Sequence, residues 1–205
     1  MATTVPSTKR PGQPPVFNLP NQLTAGRFVL ALVLFALIRY DAWGWCLGIF
    51  AVAAFTDWLD GYLARRQNLT STLGRNLDPL VDKVLMCGAY IFLLPSGAAE
   101  GWLLPWMVTV VVARELVITS LRSYLEMTGA NFGADWLGKL KMGLQCAALA
   151  AIFVTLGGKD WFPDLQYASG VIRDGLIYAM LAATLLSGLQ YLWRAALLYR
   201  SDSLT

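Results

Sequence analysis

An all-α integral membrane protein, with six transmembrane helices around a cytoplasm-facing polar cleft, is the fold class this sequence predicts. Three observations lead there. Of the 205 residues, 57% are hydrophobic and only 14% charged, with a mean hydropathy of +0.53, whereas a soluble domain carries about a quarter charged residues. The apolar residues gather into six runs of bilayer-spanning length. Four aspartates, Asp57, Asp60, Asp78 and Asp82, fall toward the ends of the second and third runs, where carboxylates are costly unless something compensates them.

The runs follow in order at 22–39, 43–62, 77–95, 102–121, 138–157 and 175–193. Residues 1–17 have no apolar core and are rich in Pro, so a short cytoplasmic tail is expected there rather than a signal peptide. A six-helix domain over 18–200 follows. Pro20 and Asn21 suggest a turn leading into the first span, with Asn21 as its cap. Breaks are expected at Arg39–Asp41, Pro95–Gly101, Thr128–Asp135 and Gly157–Asp174, where charged, Gly or Pro residues interrupt the apolar pattern.

An even number of spans puts both termini on one side. Arg39, Lys159 and Arg173 fall in the loops of one face; the remaining Lys and Arg, among them Lys9, Arg10, Arg65, Arg66, Arg75, Arg122, Lys139, Lys141 and Arg200, lie toward the other. Basic residues favour the cytoplasmic side, which places the termini and the aspartates there. Trp43, Trp45, Trp102, Trp106 and Trp161 cluster at the opposite ends and read as interfacial anchors. The chain has no histidine, which excludes a Ser-His-Asp triad and histidine-ligated haem or zinc from its own side chains. Cys46, Cys87 and Cys146 sit in apolar runs without ligand spacing and read as small buried hydrophobes.

The aspartate spacing carries the functional information. Asp57, Asp60, Gly61 and Ala64 follow i, i+3, i+4, i+7, and Gly74, Asp78 and Asp82 follow i, i+4, i+8. Each set occupies one face of a helix. Two helices joined by a polar turn around Arg66–Thr72 then aim four carboxylates into one cleft. Hard oxygen donors suit Mg²⁺ or Mn²⁺, and the surrounding Arg and Lys suit an anionic, phosphate-bearing substrate. Gly61, Ala64 and Gly74 leave room for a substrate to approach the backbone, and Arg65 offers a fork of donors to phosphate. Charged helix ends snorkelling to headgroups and small residues serving helix packing are the simpler alternatives for any one position.

The pattern Asp-x-x-Asp-Gly-x-x-Ala-Arg, eight residues, Gly-x-x-x-Asp-x-x-x-Asp resembles, without a departure, the signature of the CDP-alcohol phosphatidyltransferases. These membrane enzymes displace CMP from a CDP-linked lipid with an alcohol, using a divalent cation. The resemblance implies a six-helix core from about Asn18 onward, Asp57, Asp60 and Asp78 as metal ligands, and Asp82 completing the cluster while serving as general base. It further implies Gly61, Ala64 and Gly74 around the cytidine and Arg65 near the diphosphate. Both Asp82 as a second-metal ligand and a covalent phosphatidyl-aspartate route stay open; direct attack is the simpler path.

The acceptor alcohol is read outside that signature. Arg114 and Arg122 stand eight apart on the fourth span, with Glu115 beside the first, and Lys139 and Lys141 open the fifth. Four basic groups suit a phosphorylated acceptor, although anchoring at the cytoplasmic face also explains the two lysines. The stretches Asn18–Arg27, Leu73–Val84, Ala113–Arg122 and Trp136–Gln145 are similar to the branch of the family that uses sn-glycerol 3-phosphate. The resemblance therefore implies CDP-diacylglycerol and sn-glycerol 3-phosphate as substrates, Mg²⁺ or Mn²⁺ as cofactor, a homodimer, and a bacterial cytoplasmic (inner) membrane setting. No nucleic-acid partner is expected. Transfer to serine or inositol phosphate is the alternative within the family, and a divalent-cation transporter is the alternative outside it.

Overall fold

The computed structural model describes residues 19–67, 72–127, 136–159 and 163–202, with side chains over 22–57, 79–125, 136–159 and 164–197. The N-terminal tail, and Trp161 among the expected anchors, lie outside the described residues. Among the described residues, six long helices occur: α1 (Leu19–Arg39), α2 (Trp43–Gln67), α3 (Thr72–Glu100), α4 (Pro105–Met127), α5 (Trp136–Gly157) and α6 (Gln166–Asp202). A short 3-10 turn, Pro163–Leu165, precedes α6. No strand occurs among the described residues. Gln22–Arg39, Pro79–Glu100, Trp136–Gly157 and Gln166–Leu197 are each long and apolar enough to cross a bilayer, and Trp43–Asp57 is a shorter apolar helix. Helix α4 has the length, but it carries Arg114, Glu115 and Arg122. The chain is a multi-pass membrane protein.

Three boundaries differ from the sequence expectation. Helix α1 begins at Leu19, so Pro20 occupies its first turn, where an N–H has no intrahelical partner to lose, and Asn21 is helical rather than capping. Helix α3 continues through both Pro79 and Pro95 to Glu100; neighbouring helices in a membrane bundle tolerate such interruptions. Helix α6 starts at Gln166, which makes helix of the 166–174 segment expected to be loop.

The α1–α2 corner shows how a sequence without glycine closes a helix. Asp41 takes φ 56°, with its N–H on the Ile38 carbonyl at 3.2 Å and the Ala42 N–H on the Leu37 carbonyl at 3.0 Å. This is the paired 5→2 and 6→1 pattern of a Schellman cap, with aspartate in the left-handed position that glycine usually fills.

Helix α1 packs against α2 and α3, α6 packs against α5 and α4, and α5 joins the two groups by touching α2 and α3. The buried stripe of α1 runs Thr24, Arg27, Ala31, Leu34, Phe35 and Ile38, the three- and four-residue rhythm of one helix face. Between α3 and α5, the buried Tyr90 hydroxyl donates to the Gln145 carbonyl at 2.9 Å, which meets the need of a phenol in apolar surroundings. Cys46 is buried, Cys87 and Cys146 are half-buried, and all three are free thiols.

At the end of the bundle away from the aspartate motif, charges tie α3, α5 and α6 together. Glu100 accepts from Lys159 Nζ at 2.5 Å and from Trp102 Nε1 at 2.9 Å. The buried Arg173 lies 4.6 Å over the Trp102 ring, pairs with Asp174 at 2.8 Å and faces Glu100 at 4.0 Å. Trp102 is therefore a buried partner rather than an interfacial anchor, whereas Trp45 and Trp106 are exposed as anchors should be.

Gly97 sits where α3 turns back toward α4. Its carbonyl accepts from Leu103 N at 3.2 Å, and a Cβ placed there would overlap the Leu103 Cβ, which is fixed to the backbone. Gly97→Ala is expected to cost about 1–3 kcal/mol, as overpacking does. Gly175→Ala, with open space at its Cβ, serves as control. Thermal unfolding of the two variants in detergent checks the difference.

Candidate active site

The aspartate motif spans the C-terminal half of α2 and the N-terminal half of α3. Its helical spacing holds in the backbone, since Asp57, Asp60, Gly61, Ala64 and Arg65 all lie on α2 and Gly74, Asp78 and Asp82 on α3. The side chains of Asp60, Arg65 and Asp78, and the surroundings of Gly61, Ala64 and Gly74, lie outside the described residues. Asp57 and Asp82 are described, and they meet. Both carboxylates approach the same nitrogen of Arg27, Asp57 Oδ1 at 2.7 Å and Asp82 Oδ1 at 2.6 Å.

Arg27 enters from α1 and is only 1% exposed, against 40% for the Asp57 side chain and 24% for Asp82. The guanidinium thus grips the carboxylates from the protein interior and leaves their outer sides accessible. In the sequence, Arg27 stands out only as the end of the Asn18–Arg27 stretch of family likeness. The signal was nevertheless present: an arginine on an apolar stripe inside a span requires a carboxylate partner, and the nearest supply is the motif.

Two carboxylates from different helices converging on one positive charge form an all-oxygen donor set of the kind that Mg²⁺ and Mn²⁺ take. Asp57 and Asp82 fit a divalent ion by donor chemistry. Among the described residues no third carboxylate joins them.

A second charged group lies between α4, α5 and α6. Arg114 donates to Glu115 Oε1 at 2.9 Å and to Ser187 Oγ at 3.0 Å, and the Lys141 ammonium also bonds to Glu115 Oε1. Lys141 is 4% exposed. Glu115 therefore holds both an arginine and a lysine, and Arg114, Glu115 and Lys141 come together as one cluster. Arg122 and Lys139 are exposed. Lys139, two residues before Lys141, projects from a different side of α5.

The structure adds residues the sequence did not single out. Ser187 on α6 receives Arg114 and donates to the Thr184 carbonyl at 3.1 Å. Within one turn of this cluster, Gln145 Nε2, Thr184 Oγ1 and Arg114 Nε are buried polar atoms with hydrogen-bonding capacity left over. Lys83, next to Asp82 on α3, is half-buried and lies within electrostatic reach of Asp82, Arg114 and Arg122. Of these, Lys83 had a sequence signal, a basic residue beside a motif aspartate. Gln145, Thr184 and Ser187 had none, since small polar residues are unremarkable in membrane helices.

A membrane bundle with paired carboxylates on α2 and α3 and a basic cluster on α4 and α5 defines a class of phosphate-handling enzyme, and the comparisons agree. Residues 17–186 match the family model described as CDP-alcohol phosphatidyltransferase, and the chain belongs to that family. Its members are generally dependent on a divalent cation. Similar proteins bear the name CDP-diacylglycerol–glycerol-3-phosphate 3-phosphatidyltransferase. One from Bacillus subtilis (strain 168) is 36% identical over 155 residues, covering 68% of this chain and 78% of the relative. Those from Salmonella typhimurium (strain LT2) and Escherichia coli (strain K12) are 34% and 35% identical over 184 residues, covering 86% of this chain and 93% of each relative.

Glu115 compensates the buried Lys141 and the half-buried Arg114, so its removal deprives both of this carboxylate. Glu115→Gln is expected to destabilise the protein by about 3–5 kcal/mol, the cost of breaking a buried ion pair by deleting one side. Lys141→Met, which leaves the Arg114–Glu115 pair intact, should cost clearly less. Unfolding in detergent, by melting or denaturant, ranks the two.

Proposed function

We infer that the chain transfers the phosphatidyl group of CDP-diacylglycerol to sn-glycerol 3-phosphate, releasing CMP and forming phosphatidylglycerophosphate. The observation that carries this reading is the convergence of Asp57 and Asp82 in a membrane bundle whose family and named relatives perform CDP-lipid chemistry. Asp57, Asp60, Asp78 and Asp82 would hold a divalent ion, Mg²⁺ or Mn²⁺. When bound, that ion draws charge off the diphosphate oxygens.

The chain's own groups do the rest. Asp82 accepts the proton of the acceptor's 1-hydroxyl, whose oxygen attacks the phosphorus bonded to diacylglycerol; the bond to the CMP oxygen breaks and CMP leaves. By family resemblance Arg65 would serve the diphosphate and Gly61, Ala64 and Gly74 the cytidine. Glu115 neutralises one of the two cations Arg114 and Lys141, so the cluster retains a positive charge. That residual charge suits an anionic acceptor better than a neutral or zwitterionic alcohol, with Arg122 and Lys139 adding to the field at longer range. The excess of basic residues on the motif's side supports a cytoplasm-facing site in a bacterial inner membrane.

Purified protein supplied with CDP-diacylglycerol and Mg²⁺ is expected to release CMP with glycerol 3-phosphate and not with serine, inositol or inositol phosphate. Arg114→Ala should raise KM for glycerol 3-phosphate more than KM for CDP-diacylglycerol, by tenfold or more for the loss of about 2 kcal/mol from one charge-assisted contact. Turnover with serine or inositol phosphate alone would reassign the acceptor and leave the family standing.

The protein is also proposed to work as a homodimer. Gly143, Ala147 and Ala151 recur at four-residue spacing on α5, and a Cβ at Gly143 would meet nothing within 4 Å in the protomer, which leaves that part of the stripe available to a second copy. The aspartate motif is complete within one chain. Mixed Asp57→Asn and Asp82→Asn chains under subunit exchange should therefore stay inactive, and recovered CMP release would show a site shared between copies.

A further inference from the structure

We propose that Arg27 is a positioning residue of the carboxylate site, a built-in cation that keeps Asp57 and Asp82 turned toward one another in the absence of a divalent ion. The inference rests on reading these aspartates as a cation site, and it concerns a residue on a third helix, outside the aspartate signature.

The geometry argues for it in three steps. First, Asp57 and Asp82 come from separate helices, and two ionised carboxylates brought this close repel unless a positive charge lies between them. Arg27 supplies that charge through one nitrogen shared by both, at 2.7 and 2.6 Å. Second, α1 packs against both α2 and α3, and Arg27 lies on its buried stripe between Thr24 and Ala31. The cation is consequently anchored by the same face that holds the three helices together. Burying it without these acids would be prohibitive, so the site and the α1–α2–α3 packing require each other.

Third, exposure separates positioning from catalysis. At 1% exposure the guanidinium is closed off by the bundle, whereas both acids retain an accessible side. Arg27 therefore acts through the aspartates. A divalent ion would find the oxygens of Asp57 and Asp82 already gathered by Arg27.

The test compares wild type, Arg27→Gln, Arg27→Lys and the double variant Arg27→Gln/Asp57→Asn, each purified in the same detergent. Melting temperature is read in EDTA and in saturating Mg²⁺, with Mn²⁺ binding followed by electron paramagnetic resonance. In EDTA, Arg27→Gln should melt well below wild type. Mg²⁺ should close at least half of that gap, because the ion replaces the missing charge, and the metal-induced shift should be about twice that of wild type. Arg27→Lys should fall between. The double variant should melt above Arg27→Gln in EDTA, since removing one carboxylate removes the repulsion; this comparison holds even if Arg27→Gln is poorly folded.

An equal deficit with and without Mg²⁺, or a double variant no more stable than Arg27→Gln, would make Arg27 a packing residue and overturn the proposal. The functional reading is judged separately, by Mg²⁺-dependent CMP release and Mn²⁺ binding in wild type. Loss of these would sink the cation site while the EDTA comparison still decides whether Arg27 holds the carboxylates together.

Discussion

A charge inside a membrane bundle is tolerable only beside an opposite charge, and this constraint organises each polar feature described above. In an apolar medium a lone carboxylate, guanidinium or ammonium is far costlier than in water, so helices that carry such groups must bring them together across the packing. Arg27 on α1 meets Asp57 on α2 and Asp82 on α3. Glu115 on α4 meets Lys141 on α5, while its neighbour Arg114 reaches Ser187 on α6. The Arg27 and Arg114 contacts cross helices that already pack on one another, whereas Glu115–Lys141 bridges α4 and α5, each of which packs on α3 and α6.

The two ends of the bundle use this constraint differently. At the end remote from the motif, Glu100, Lys159, Arg173, Asp174 and Trp102 satisfy one another, which ties the end of α3 to α6 and to the segment after α5. At the motif's end, Asp57 and Asp82 converge on Arg27 and keep accessible sides, while Arg114 and Lys141 share Glu115. A site that takes a cation together with a phosphate-bearing substrate requires accessible carboxylates and cations in one region.

Helix α5 makes the two groups part of one structure. It touches α2 and α3 on one side and α6 on the other, with its backbone tied to α3 through Tyr90 and Gln145. Lys141 and Gln145 are one turn apart on it. The basic cluster is thus held in register with the carboxylates by an ordinary buried helix face of Ala148, Leu149, Ile152 and Phe153.

The sequence by itself determined the class of structure and much of the chemistry. Hydropathy set the number of helices because a bilayer imposes a minimum apolar length, and the Asp-x-x-Asp and Asp-x-x-x-Asp spacings placed each carboxylate set on one helix face through the period of 3.6 residues. Those are local rules, legible without knowing what packs on what. Helix ends were less legible, as Pro20, Pro95 and the start of α6 show, because caps and interior prolines depend on what neighbours a backbone group can find. Only the tertiary structure decided partnership. That Arg27 serves both Asp57 and Asp82, that Glu115 divides itself between Arg114 and Lys141, that Ser187 joins them, and that Trp102 is a buried partner of Arg173 all depend on how helices distant in sequence are rotated about their axes. That rotation is fixed by the sum of many apolar contacts, and no single segment encodes it.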